Sequence, residues 1–299
     1  MDLRQLEYFV AVVEQGSFSR AATALNLAQP SVSRQIALLE EELGQRLLER
    51  TGRGVSATDA GHALLAHAHV MLNAAKQALS DLKDMHAKPV GRVVVGLPHH
   101  VAMGLAVPLI RQFRQRFPNA LLSVVEGLSL SLREGLVAGR IDLGLLFDPA
   151  PTPLLAYEDL TRERMVLVAP KGFRLDKQVG LAALAEFPLV LPGSHNPIRS
   201  LVDAVLLPRR ISLNVVAEVG AVHTALSVVE DGLACSILPE SALQLSRRPA
   251  RIHSAPIGPP AMRNLLVLAM PRARPASRLI AETAKLLREL GHRKEGAEA

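Results

Sequence analysis

The sequence of 299 residues contains one cysteine, no tryptophan, and so few aromatic residues that they make up 3% of the chain. Cys235 cannot form an internal disulfide, and one thiol makes no metal site, so its apolar neighbours favour a buried side chain. Because aromatic rings are scarce, we expect no large stacking pocket for a ligand. Walker, HExxH and GxSxG motifs are absent as well, which predicts that the chain is not an enzyme.

Long apolar runs are also missing. No stretch of about 18 uncharged apolar residues occurs, which predicts that no segment spans a membrane. The opening MDLRQLEYF places charges where the apolar part of a secretory signal would lie. Together with the single cysteine, these features predict a cytoplasmic protein without a membrane partner.

The histidines offer no good metal site. His67 and His69 lie two positions apart on a predicted helix and so cannot share a face. His99 and His100 are adjacent, which is poor geometry for chelation on a regular backbone. We therefore expect neither a metal ion nor a cofactor.

Positive charge is in excess, but it is unevenly distributed. The chain carries 34 Lys and Arg against 28 Asp and Glu, a net charge of +6, and basic chains are typical of nucleic-acid-binding proteins. Residues 1–88, however, carry nine basic and ten acidic side chains, so the excess lies in the rest of the chain. A nucleic-acid contact of the N-terminal segment therefore depends on where individual side chains point.

The first 58 residues show the pattern of a small helical domain with a hairpin. Residues 3–15 are amphipathic, and a second short helix is predicted at about 19–25. Pro30 suits the first turn of a third helix, where no intrahelical N–H is needed. Residues 49–57 contain two glycines around an arginine and predict a hairpin-like loop. A helix-turn-helix followed by such a wing is a compact DNA reader, and we place this domain at residues 1–58.

The predicted third helix has two different faces. Val32, Ile36 and Leu39 recur at helical spacing and need a core, so the polar residues between them face outward. Arginine can donate two hydrogen bonds to guanine, glutamine can pair with adenine, and serine or first-turn amides suit a phosphate. We predict DNA contacts by seven residues of this helix and the wing: Gln29, Pro30, Ser31, Ser33, Arg34, Arg50 and Arg53.

Other interpretations of these residues stay open. Arg34 by itself is also typical of a solvated or salt-bridged surface arginine. Ser31 and Ser33 are also typical of local helix capping. We expect residues 40–42, three glutamates, to form an exposed acidic end of the helix that keeps non-specific DNA binding low.

Residues 59–88 predict one long helix that is rich in alanine and free of proline. Apolar residues repeat every seven positions in two series: Leu64, Met71, Ala78 and Met85, and Ala68, Ala75 and Leu82. This pattern is typical of a short coiled coil and predicts the seam of a homodimer. Packing of the helix on its own domain is the alternative.

From residue 89 onward, predicted strands alternate with predicted helices. This alternation is typical of parallel or mixed sheets covered by helices, and the segment is long enough for two lobes. We place lobe I at about residues 91–161 and 268–299, and lobe II at about residues 162–267.

In α/β proteins, ligands bind beside the carboxyl ends of strands, which in a two-lobed domain face the cleft. The candidate effector-binding residues follow predicted strands or begin helices: His99, His100, Val101, Ser129, Phe147, His195, Asn196, Arg199, His223 and Thr224. Because Arg199 can clamp a carboxylate and helix starts favour negative charge, we expect an anionic ligand. A salt-bridged Arg199, and histidines that only make structural hydrogen bonds, are the alternatives.

Several stretches of the sequence carry a resemblance to a known family. Near the N-terminus they are LRQLEYFVAVVEQGSFSRAATALN, QPSVSRQIALLEEELGQRLLER and TDAG, and farther along they are FPNALLSVVEG, LVAGRIDLGL and EDGLACSILP. With these stretches the chain resembles the LysR-type transcriptional regulators. The resemblance implies an N-terminal all-α winged helix-turn-helix, a long dimerising linker helix at 59–88, and a C-terminal α/β effector domain at 89–299. That domain would have two lobes, similar in fold to periplasmic binding proteins, with a small-molecule effector between them.

The resemblance also implies assembly into a homodimer and then a homotetramer, and contact with RNA polymerase. The sequence departs from the family at Ala28, where many members have a Ser or Thr that can cap the recognition helix. Loss of such a cap costs about 1 kcal/mol. This departure puts one cap or phosphate contact in doubt and removes no base-reading group.

Together these observations predict a sequence-specific DNA-binding regulator, an activator or repressor, that is modulated by an anionic effector. We expect the effector to shift the population of lobe geometries and so change the spacing of the DNA-binding domains. The alternatives are a ligand-independent DNA-binding regulator and a small-molecule-binding protein without regulatory activity.

Overall fold

In a computed structural model of the chain, the described residues are 1–51, 54–84, 90–194, 196–272 and 277–292. The N-terminal elements are α1 (Leu3–Gln15), α2 (Phe18–Leu25), α3 (Gln29–Leu43), β1 (Leu48–Thr51), β2 (Gly54–Ala57) and α4 (Asp59–Asp84). This order is that of a winged helix-turn-helix followed by a linker helix, as the sequence predicts. The 26 residues of α4 give it a length of about 39 Å.

Local sequence signals set the ends of the first three helices. Gly16 ends α1 at a positive φ of 58°, and Ser17 then caps α2. Asn26 ends α2 in the left-handed region, at φ 55°. The α3 helix starts after Ala28, which makes no side-chain cap, and has Pro30 in its first turn.

The apolar side of α3 anchors the N-terminal domain. Val32, Ile36 and Leu39 are buried together with Leu6 and Phe9 of α1. Full burial of each such side chain stabilises the fold by about 1.5–3 kcal/mol. Because this stripe is held in the core, the polar side of α3 faces away from it.

The first half of α4 packs on the same core. Ala68 is fully buried, and Leu64 and Met71 pack against the N-terminal cluster. These three residues belong to the predicted coiled-coil seam. At these positions the seam is therefore used within the chain, which is the alternative that the sequence left open.

The second half of α4 is not covered by the N-terminal core at positions 78 and 79. Ala78 and Leu79 are exposed, Leu79 by 62% of its surface. Met85 and the side chain of Leu82, which complete the predicted seam, lie outside the described residues.

The rest of the chain forms two α/β lobes. Its strands are β3 (Gly91–Pro98), β4 (Ala120–Gly127), β5 (Leu143–Phe147), β6 (Leu155–Pro170), β7 (Pro188–Leu191), β8 (Asn214–Glu218), β9 (Ser236–Pro239), β10 (Ile252–Pro256) and β11 (Arg263–Pro271). Its helices, apart from short 3₁₀ turns, are α5 (His99–Arg116), α6 (Ser129–Val137), α7 (Pro197–Leu206), α8 (Val222–Glu230) and α9 (Arg278–His292). The predicted fold class, a two-lobed α/β domain behind a winged helix-turn-helix, is confirmed.

Two long strands, β6 and β11, connect the lobes. In lobe I, β3 runs parallel to β4 and β5, and β11 lies antiparallel between β5 and β6. In lobe II, the second half of β6 pairs antiparallel with β9 and β10, while β7 and β8 form a parallel pair. The chain passes into lobe II through β6 and returns through β11, where a bulge beside Leu266 shifts the register.

Each lobe has its own buried cluster. Lobe I is built around residues such as Leu97, Leu109 and Phe113, and lobe II around residues such as Leu189 and Cys235. Burial raises the pKa of the Cys235 thiol to about 11, so the thiol stays protonated at neutral pH. In the described part of the chain, no helix is long and apolar enough to cross a bilayer, and no cluster of His, Cys, Asp and Glu could hold a metal ion.

Gly61 generates a first prediction, because it lets α4 approach the segment before the wing. A Cβ at this position would lie 2.1 Å from the backbone oxygen of Leu47, and overpacking of this kind costs about 1–3 kcal/mol. Gly61→Ala should therefore lower the free energy of unfolding by that amount in urea titrations of the full chain.

Gly172→Ala is the matched control, because a Cβ there meets no atom within 4 Å. If the two variants unfolded at the same urea concentration, the close approach of α4 to Leu47 would not hold in solution.

Candidate functional site

The polar side of α3 is the first candidate site. Gln29, Pro30, Ser31 and Arg34 are exposed, and Ser33 is half-buried. Pro30 has no amide hydrogen to satisfy, and the amide of Ser31 donates to the carbonyl of Ala28 at 3.0 Å. The start of α3 thus carries positive dipole charge and no capping side chain.

Arg34 lies one helical turn into this face. Among the residues that the structure describes, it makes no ion pair and no side-chain hydrogen bond. Arg34 is therefore not salt-bridged to any described residue, and that alternative from the sequence does not apply. The guanidinium is a free five-donor fork on a rigid helix, which is the geometry needed to bind two acceptors at once.

Glu40 differs from the sequence-based expectation. Its carboxylate is turned toward the wing, where Oε1 accepts from the amides of Leu47 (2.7 Å) and Leu48 (3.1 Å). Of the three glutamates, only Glu41 and Glu42 stay exposed at that end of α3. The predicted acidic end is therefore smaller, and Glu40 instead links the helix to β1.

The wing is described in part. Arg50 pairs with Val55 across the β1–β2 hairpin, but its side chain lies outside the described part of the structure. Arg53, the second predicted wing contact, also lies outside the described residues.

The second candidate site is the cleft between the lobes. A small cavity of about 50 Å³ separates the ends of β3, β4 and β5 from the starts of α7 and α8. Five of the predicted effector-binding residues line it: His99, His100, Ser129, Phe147 and Asn196. The strand ends and helix starts therefore do converge, as the topology predicts.

Lobe I holds these side chains in fixed positions. The ring of His100 stacks on Phe147, with centroids 5.0 Å apart and planes 17° from parallel. The hydroxyl oxygen of Ser129 accepts from the amide of Phe147 at 3.0 Å. His99 lies 3.6 Å from the carboxylate of Glu126 at the cleft mouth.

In lobe II, Asn196 caps α7. Its Oδ1 accepts from the amide of Ile198 at 2.9 Å, and its Nδ2 donates to the carbonyl of Gly220 at 3.4 Å. One side chain therefore joins the start of α7 to the loop before α8, which places both helix starts on the cleft.

Arg199 does not have the predicted role in this arrangement. Its Nε donates to both carboxylate oxygens of Asp203 at 2.9 Å, and its Nη1 lies 3.5 Å from Glu218. Its charge is already neutralised twice, and it does not line the cleft cavity.

Three other predicted effector residues, Val101, His223 and Thr224, also lie apart from this cavity. Val101 lines a different cavity of about 520 Å³, on the other side of Phe147. His223 and Thr224 are exposed and do not line the cavity, whereas Val222 at the start of α8 does. His195 lies outside the described residues.

A larger cavity of about 390 Å³ continues the cleft past Ser129, Phe147 and Pro197. It contains two charged residues that the sequence analysis missed, Arg133 and Asp148. Arg133 lies four residues after Ser129 on α6, and Asp148 directly follows β5. Both positions could have been found from the sequence, because helical spacing and strand ends point to the same cleft.

Asp148 is held rigidly at this cavity. It adopts a positive φ of 42°, its Oδ1 accepts from the amide of Leu265 at 3.0 Å, and its own amide donates to the carbonyl of Leu265 at 2.9 Å. Burial raises the pKa of this carboxyl group, against the opposing effects of the Leu265 amide and the charge of Arg162. A positive charge brought to the cavity would therefore be stabilised by Asp148.

Comparison with known proteins gives matches along nearly the whole chain. The model for the bacterial regulatory helix-turn-helix protein, lysR family, matches residues 3–62, and the model for the LysR substrate binding domain matches residues 86–291. The nitrogen assimilation regulatory protein nac of Klebsiella aerogenes is 33% identical over 90% of this chain and 88% of its own. The transcriptional regulator BenM of Acinetobacter baylyi is 35% identical over 81% of each chain.

Solved structures of full length are similar in fold. Full-length BenM aligns with a TM-score of 0.61 at 29% identity, covering 99% of this chain and 98% of its own. CbnR in complex with its target DNA aligns with a TM-score of 0.67 at 26% identity, covering 97% and 100%. A full-length OxyR variant from Pseudomonas aeruginosa aligns with a TM-score of 0.79 and covers 98% and 95%, and at 23% identity it supports the fold alone.

The capping role of Asn196 generates the second prediction. Asn196→Ala removes the acceptor for the Ile198 amide, and loss of an N-cap costs about 1 kcal/mol. We expect a lower free energy of unfolding in denaturant titrations. Asn196→Asp retains an acceptor oxygen at the same position and should restore most of the loss. An Asp variant as unstable as the Ala variant would contradict the capping role.

Proposed function

The chain belongs to the LysR family of DNA-binding transcriptional regulators, and from this premise we propose which of its residues read DNA and where its effector binds. The observation that carries the proposal is the free guanidinium of Arg34 on the outward face of α3. A rigid helix face of this kind fits the major groove, where base edges differ.

Base reading is assigned to the polar face of α3. Arg34 donates to guanine O6 and N7, and Gln29 pairs with an adenine at the helix entrance. Pro30 contacts a thymine methyl, and Ser33 reaches a base edge or a phosphate. These contacts are supported by the exposure of the three side chains at positions 29, 30 and 34.

Backbone contacts are assigned to the helix start and the wing. Ser31 and the uncapped first turn of α3 suit a phosphate oxygen. Arg50 and Arg53 approach the backbone or the minor groove from the hairpin. Because residues 1–88 carry one more acidic than basic side chain, affinity depends on these placed contacts and less on net charge.

Two such domains would be joined through the linker helix. The exposed Leu79 and Ala78 on the second half of α4 support a homodimer contact there, since a second copy would cover them. A dimer places its recognition helices about 34–36 Å apart, one turn of DNA. Assembly into a homotetramer and contact with RNA polymerase complete the proposal, with domains at 1–58, 59–88 and 89–299.

The effector site is assigned to the interlobe cleft, and the effector to small molecules that carry an anionic group. Polar groups from both lobes meet there, and lobe II is attached to lobe I through β6 and β11. A ligand that prefers one lobe arrangement shifts the population toward it, by no more than its difference in affinity for the two arrangements.

The third prediction tests base reading. DNA fragments selected from the genome by the full chain are compared with random DNA in gel-shift titrations. Arg34→Ala should lose about 1–3 kcal/mol of discrimination at one base pair, because the bidentate contact with guanine is gone.

Arg174→Ala is the control, because it removes the same charge from an exposed loop of lobe II. It should leave discrimination unchanged. If Arg34→Ala weakened binding to selected and random DNA by the same factor, Arg34 would be a phosphate contact and the assignment would be wrong.

A further inference from the structure

We infer that the cleft takes a small zwitterion, with the carboxylate of the ligand bound by Arg133 and its ammonium group by Asp148. This inference rests on the proposed function, because it names the chemical class of effector for the same cleft. It assigns the anion-binding role to Arg133 in place of Arg199.

Arg133 has an unused guanidinium at this cavity. Its Nε is fully buried and has no hydrogen-bond partner, and the described residues provide no ion pair for the side chain. A buried charged donor without an acceptor is unfavourable, since its lost hydration is not replaced. A carboxylate in the cavity can instead accept two parallel charge-assisted hydrogen bonds from the Nη1 and Nη2 groups of the same guanidinium, which have no acceptor among the described residues.

Asp148 makes a purely anionic ligand less suitable. Its carboxylate lines the same cavity as Arg133, and no ion pair joins the two among the described side chains. An anion bound to Arg133 would be repelled by Asp148, whereas a ligand that carries both charges is attracted by both residues. One charge of each sign in one cavity therefore selects a zwitterion.

The remaining walls suit a short apolar side chain. Phe147 and Leu130 of lobe I and Leu201 of lobe II line the cavity, whose volume of about 390 Å³ is typical of sites for small ligands. Both charged residues belong to lobe I, and lobe II contributes Pro197, Ser200 and Leu201. A zwitterion held by lobe I would thus present its apolar part to α7 and favour closure of the lobes.

The experiment uses the full chain and three matched pairs of probes. The zwitterions are L-norvaline, L-leucine and L-phenylalanine, and the corresponding carboxylates without the ammonium group are pentanoate, 4-methylpentanoate and 3-phenylpropanoate. Binding is measured by thermal shift and calorimetry at millimolar concentrations. At least one zwitterion should bind, and at least about tenfold more tightly than its carboxylate partner, because only the zwitterion neutralises Asp148.

Three variants separate the two contacts. Arg133→Gln should weaken binding of the zwitterion at least about tenfold. Asp148→Asn, which tolerates the positive φ, should abolish the preference for the zwitterion over its carboxylate partner. Arg140→Gln, an exposed arginine outside the cavity lining, is the control and should bind like the unaltered chain. Unchanged DNA binding in the absence of probe shows that each variant is folded.

Each other outcome overturns the inference. If no zwitterion binds, or if a carboxylate binds as tightly as its zwitterion, the selection by Asp148 is wrong. If Arg133→Gln binds like Arg140→Gln, Arg133 does not hold the carboxylate. The proposed function is tested apart from this, because selective DNA binding by the α3 face requires no probe.

Discussion

The burial of one stripe of α3 is the constraint on which the DNA-reading half of the molecule depends. Val32, Ile36 and Leu39 are held among the apolar residues of α1, and a helix with one side in a core can present only its other side to a partner. The same helix is fixed at its far end, where Glu40 accepts two amide hydrogens from the start of β1. These two hydrogen bonds fix the start of β1 relative to α3.

The ligand-binding half depends on a different constraint, the continuity of β6 and β11. Each strand belongs to the sheet of lobe I and then continues toward lobe II, so the two lobes share backbone and not only side-chain contacts. The backbone connection between the lobes therefore runs through the paired strands β6 and β11. Charged and polar groups from β5 and α6 stay with lobe I, while Asn196 keeps the starts of α7 and α8 together in lobe II.

The sequence predicts those parts of the fold and the site that depend on residues close together in the chain. The ends of α1 to α3 are set by Gly16, Asn26 and Pro30, which are readable without tertiary structure. The first half of β6 was not predicted, because most of its residues are half-buried or exposed, three of them are charged, and they gain their partner only from β11. The ion pair of Arg199, one of the two alternatives that the sequence left open, could have been preferred, since Asp203 stands at the i+4 position, where a helical ion pair forms. The second partner of Arg199, Glu218, lies on β8, so the spacing of residues in the sequence does not predict this ion pair. Arg133 and Asp148 were also avoidable omissions, since Arg133 lies four residues after Ser129 on α6 and Asp148 directly follows β5; only their meeting in one cavity depends on the tertiary fold.

The position of α6 gives the cleft a physical connection to the DNA-reading half. Arg133 lies in the middle of this helix, and the turn that follows the helix contains Gly139. The carbonyl of Gly139 accepts a hydrogen bond from the side-chain amide of Asn73 on α4, five residues beyond Ala68, where α4 is buried in the N-terminal core. The helix that contains Arg133 is therefore joined by a hydrogen bond, through the turn that follows it, to the helix that carries the winged domain. Because packed elements shift as rigid bodies, a displacement of α6 would be passed to α4 through this contact.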